Sequence, residues 1–65
     1  MRKFQFVITL VGASMAVRIV EVRTEERARE LAERVLRESP NHLAVDVWEG
    51  DSRRFSVGRG DRRVA

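Results

Sequence analysis

The chain has 65 residues, a formal net charge of +3 and no cysteine, which bounds it to one small domain with neither a disulfide nor a thiolate metal site. Charged residues make up 35% and apolar residues 43%, the balance of a folded globular chain rather than a disordered one. A single histidine, His42, argues against a transition-metal centre, and no apolar run approaches the roughly 20 residues of a membrane span.

Residues 3–10 alternate cleanly: Phe4, Phe6, Ile8 and Leu10 share one side, and Lys3, Gln5, Val7 and Thr9 the other. That is a strand with one buried face. Met1-Arg2-Lys3, the apolar run and Gly12-Ala13-Ser14-Met15-Ala16 have the outline of a secretory leader. Gln5 and Thr9 break that run with period two, however. Cleavage after Ala16 would also leave too little chain to hold a core without a disulfide. A cytoplasmic chain is the expectation. Gly12-Ala13-Ser14 reads as a turn.

In residues 15–23 the alternation slips. Met15, Val17 and Ile19 fall on one side, Val20 and Val22 on the other. Two arrangements account for this. A bulge near Ile19-Val20 would turn all five inward. A strand apolar on both faces would instead supply a subunit interface. The bulge is narrowly favoured.

Thr24 is a good helix N-cap, with Glu25 and Glu26 where the helix dipole favours acids. Ala28, Leu31, Ala32, Val35 and Leu36 then form one apolar stripe. Glu25–Arg29, Glu30–Arg34 and Glu33–Arg37 stand in the favourable i,i+4 order on a solvated face. Ser39-Pro40-Asn41 ends the helix, because the residue before proline leaves helical geometry and the ring cannot continue the ladder.

Residues 43–49 are the third strand, with Leu43, Val45 and Val47 on one side and Ala44, Asp46 and Trp48 on the other. Residues 53–58 are the fourth, with Phe55 and Val57 inward. A three-residue loop, Gly50-Asp51-Ser52, pairs Val47 with Phe55 and Val45 with Val57 and keeps the apolar face intact. The same spacing sets Trp48 opposite Arg54, beside Asp46 and Ser56. Residues 59–65 read as a mobile basic tail, so the folded domain is expected over residues 1–58.

The fold class is therefore α+β, in the order ββαββ: a four-stranded, mainly antiparallel sheet with one amphipathic helix on one face. The expected core is Phe4, Phe6, Ile8, Leu10, Val17, Ile19, Val20, Val22, Ala28, Leu31, Ala32, Val35, Leu36, Leu43, Val45, Val47, Phe55 and Val57. The order of the strands between the two hairpins stays open.

A domain this small, with no covalent staple, is expected to gain stability by self-association, most simply as a homodimer. The candidate partner-binding residues are Val7, Thr9, Asp46, Trp48 and Arg54 on the outer sheet face, because an indole beside a carboxylate is not placed as a core residue is. The basic charge is carried by twelve arginines against one lysine. Arg53, Arg54, Arg59, Arg62 and Arg63 form the densest basic stretch and are the candidate phosphate-binding residues. Acids are interspersed throughout, and compositional bias explains the arginines at least as well.

Recognition of RNA by exposed aromatics would need two or three of them and a second helix. Arg59-Gly60-Asp61 is a chance tripeptide. His42, Asp46, Glu49, Asp51 and Ser52 match neither a calcium loop nor a hydrolytic triad, and there is no phosphate-cradling glycine loop. No catalytic residue, metal ligand or cofactor is expected. The sequence points to a non-catalytic protein-interaction module, with a small nucleic-acid-binding protein as the alternative.

Overall fold

The computed structural model describes residues 1–59. The elements follow in the order β1 (Arg2–Leu10), β2 (Met15–Val22), α1 (Glu25–Glu38), β3 (His42–Glu49) and β4 (Ser52–Gly58). They form the expected ββαββ fold. The sheet order is β2-β1-β3-β4, and every neighbouring pair is antiparallel. β1 and β3 are thus the central strands, and β2 and β4 are the edges. The chain leaves β2, passes over β1 as the helix and returns as β3.

The core lies between the helix and one face of the sheet. Phe4, Phe6 and Ile8 of β1, Val45 and Val47 of β3 and Val22 of β2 are buried against Ala28, Ala32 and Val35 of the helix. Leu10, Val20, Leu31, Leu36, Phe55 and Val57 pack around them. Each fully buried large side chain here contributes roughly 1.5–3 kcal/mol. Alternation in β1 and β3 puts these groups on one side. The small Ala28 and Ala32, both with no exposed surface, let the helix lie close to the strands beneath it.

Local signals set the helix ends. The Thr24 hydroxyl accepts a hydrogen bond from the Arg27 amide at 3.1 Å, satisfying one of the free donors of the first turn. Ser39 is extended, as its position before Pro40 requires. Its hydroxyl accepts from the Asn41 amide at 3.1 Å, and its carbonyl accepts from the His42 amide at 3.1 Å. The three expected i,i+4 pairs are not among the ion pairs of the described residues. Glu25 turns to Arg54 and Arg2 instead, and the Arg29 guanidinium lies over the Phe55 ring, 4.3 Å from its centre.

Three core assignments need correction. There is no bulge near Ile19-Val20, because β1 and β2 pair without a shift from Arg2–Val22 to Thr9–Met15. Val20 and Val22 therefore face the helix, while Val17 and Ile19 face away from it, 59% and 55% exposed. The third is Leu43. It is the extra residue of a bulge in β3, since Thr9 pairs with Ala44 and Leu10 with His42. The bulge turns His42 toward the helix, where its Nδ1 lies 2.7 Å from the Val35 carbonyl oxygen, and leaves Leu43 41% exposed.

The second hairpin keeps the expected pairs Val47–Phe55 and Val45–Val57 but reaches them differently. Glu49 pairs with Ser52 across a two-residue turn, and Arg54 is the extra residue of a bulge in β4. Gly50 has φ +61 and Asp51 has no positive φ. This is the sign pattern of a type II′ turn, with glycine at its first central position. Substituting Gly50→Ala is expected to lower stability by about 1 kcal/mol, the cost of a Cβ in left-handed backbone. Urea denaturation checks this, and an unchanged midpoint would contradict the turn assignment.

Candidate functional site

Among the described residues, the one helix covers one face of the four-stranded sheet and nothing covers the second. Strand register places its residues in rows. Ile19, Gln5, Trp48 and Arg53 form one row from β2 to β4. Val17, Val7, Asp46 and Ser56 form the next. Met15, Thr9, Ala44 and Gly58 form the third. Glu21 beside Lys3 closes one end.

Four of the five candidate partner-binding residues, Val7, Thr9, Asp46 and Trp48, share this face. They are half-buried, as is normal for central strands flanked by neighbours. Trp48 stands between Gln5 and Arg53. Gln5, Val7, Met15, Asp46, Trp48, Gly50 and Asp51 line a shallow groove of about 410 Å³. Its contents are one indole, two carboxylates, an amide and apolar side chains.

The fifth candidate, Arg54, is not part of the set. The β4 bulge puts Arg53 opposite Trp48. The Arg54 Nε donates to Glu25 Oε1 at 3.0 Å, at the N-terminus of the helix. Glu25 also lies 3.7 Å from Arg2, which binds Glu49 through two hydrogen bonds of 2.9 and 2.7 Å. Arg54 thus belongs to a chain of alternating charges that ties β4, the helix, β1 and β3 together at one end of the domain. The Arg2 guanidinium, hydrogen-bonded to Glu49, holds the Glu49 carboxyl below its ordinary range, and Glu49 in turn raises the Arg2 pKa.

The candidate phosphate ligands are likewise dispersed. Arg53 lies on the outer face, and Arg54 is paired with Glu25. Arg59 folds back onto the C-terminal end of the helix. Its Nη2 donates to the carbonyls of Leu36 and Ser39, the latter at 2.9 Å, and its Nε donates to the His42 carbonyl at 3.0 Å. A cation over the last carbonyls of a helix is a favourable placement. Arg62 and Arg63 lie outside the described residues.

The residues that sequence reasoning misplaced are Met15, Val17 and Ile19. All three project from the outer side of edge strand β2, 63%, 59% and 55% exposed. Their strict alternation was visible. The nearby Val20 and Val22 suggested one slipped face, where the strand in fact carries two apolar faces.

No helix among the described residues is long and apolar enough to cross a membrane, and no group of three or more His, Cys, Asp or Glu among them is placed to hold a metal ion. Comparison of the chain with protein-family models, with curated proteins and with solved structures finds no match.

Two outcomes test the placement of the charged groups. Because the folded Glu49 carboxyl is depressed below its ordinary value of 4.5, its stabilising contribution is complete above that value. It disappears as pH falls through the lower folded one. The stability difference between the native chain and Glu49→Gln should therefore shrink on acidification below the ordinary value of 4.5, and a gap that stays constant on continued acidification would contradict the pairing with Arg2. Separately, Arg59→Ala is expected to accelerate amide hydrogen exchange in the last turn of α1, Val35–Glu38, more than in β1. Uniform exchange rates would remove the capping role.

Proposed function

We propose that this chain is a small, non-catalytic protein-interaction module that works as a homodimer through the outer face of its sheet. One observation carries the reading. Met15, Val17 and Ile19 occupy three successive outward positions of β2 with more than half of each side chain in water. Scattered exposed apolar groups are normal, but a contiguous row along one edge strand, continued by Val7 and Trp48, is the pattern of an interaction surface.

The small core supports self-association as the use of that surface. A dimer would supply burial that a chain of this size lacks, and a two-fold dimer is the simplest closed assembly. The residues that would carry binding are Met15, Val17, Ile19, Val7 and Trp48, with Thr9 and Asp46 beside them. Arg54, paired with Glu25, is left out of this set.

A nucleic-acid partner is the weaker reading. Asp46 and Asp51 border Trp48 in the groove, where they would repel a phosphate backbone. Arg54 and Arg59 are turned to Glu25 and to helix carbonyls instead. No activity, cofactor or metal enters the proposal.

The test is the mass in solution by light scattering across a concentration series. The native chain is expected to run as a dimer at high micromolar concentration. Val17→Asp, at an exposed position that leaves the core untouched, is expected to weaken the dimer by roughly 100-fold, the cost of burying an unpaired carboxylate. A native chain that stays monomeric at millimolar concentration would overturn the proposal.

A further inference from the structure

We infer that the two copies meet face to face, sheet on sheet over β1 and β2, and not edge to edge through β2. The inference rests on the homodimer reading above and specifies how the second copy is seated. Two surfaces of the domain invite a second copy. One is the free edge of β2, whose unpaired backbone groups can extend a sheet. The other is the outer face.

The side chains decide between them. Met15, Val17 and Ile19 stand perpendicular to the sheet. Pairing β2 with β2 of a second copy would satisfy backbone groups but leave these side chains in water. It would also set two such rows side by side in one larger exposed apolar patch. Stacking the two outer faces removes the rows from water, with the sheets about 10 Å apart as in a sandwich.

Charge fits a second copy. The charges around the apolar centre are of both signs: Lys3 and Arg53 against Glu21, Asp46 and Asp51. A two-fold interface sets a patch against itself. A border of one sign would repel its copy, whereas this mixed border can pair with itself. The net charge of +3 for the whole chain is not concentrated there.

The alternatives on the molecule are weaker. The second concavity, about 420 Å³ and lined by Met1, Glu21, Val22, Arg23, Thr24 and Arg27, lies at the start of the helix, and four of those six residues are polar or charged. The Glu49–Arg2–Glu25–Arg54 chain is already internally paired.

The experiment combines light scattering with amide hydrogen exchange on the native chain and on Val17→Asp, with circular dichroism confirming that the variant is folded. The expected result is a native dimer, a monomeric variant, and the same exchange rates for the edge-facing amides of β2 in both. Trp48 emission should also shift to shorter wavelength in the dimer. A native dimer whose β2 edge amides exchange more than tenfold slower than those of the monomeric variant would overturn face-to-face stacking and leave self-association standing. A dimer that survives Val17→Asp would overturn the outer-face contact, and a native monomer would overturn self-association itself.

Discussion

One helix can cover only one face of a four-stranded sheet, and the organisation of this domain follows from that limit. Every strand presents side chains to both sides with period two. The side under α1 is closed by Phe4, Phe6, Ile8, Val45 and Val47, all at most 2% exposed. Among the described residues, nothing packs against the other side. A soluble monomer would be expected to make that second side polar, and β3 and β4 comply in part, with Asp46, Ser56 and Arg53. β2 does not. Three of its four outward positions are Met15, Val17 and Ile19, with Glu21 the fourth, and the proposed function begins from that asymmetry.

The two bulges serve the covered face. In β4 the extra residue, Arg54, restores the pairing of Val47 with Phe55 after a two-residue turn that would otherwise mix the faces. In β3 the extra residue, Leu43, turns His42 toward the end of the helix, against the Val35 carbonyl. Each bulge also moves a side chain out of the place that simple alternation assigns. Arg54 leaves the side of Trp48 for the start of the helix, and Leu43 leaves the core for the surface. The charged groups then fasten the helix at both ends: Arg2, Glu49, Glu25 and Arg54 at its N-terminus and Arg59 at its C-terminus.

Much of this was legible in the sequence, and the limits were physical. β1, with its unbroken alternation, and α1, with its cap, stripe and proline stop, could be read directly. The facing of the second hairpin could be derived from register, because only one pairing kept Val45, Val47, Phe55 and Val57 together. Strand order could not, since nothing local distinguishes a helix that returns beside β2 from one that crosses β1. β2 was misread for a related reason. A bulge and a two-faced strand give the same string of residues, and only pairing with β1 separates them. The outer-face set was therefore half visible: Val7, Thr9, Asp46 and Trp48 were placed on it, while Val17 and Ile19 of the apolar row beside them were assigned to the core.

The central claim is that this row contacts its own copy. Isotope-filtered nuclear Overhauser spectroscopy on a mixture of labelled and unlabelled chains tests it most directly, because only contacts between copies survive the filter. The account requires intermolecular contacts from the methyl groups of Met15, Val17 and Ile19 to residues of the outer face. Intermolecular contacts confined to the helix or to the ends of the domain, or none at millimolar concentration, would contradict it.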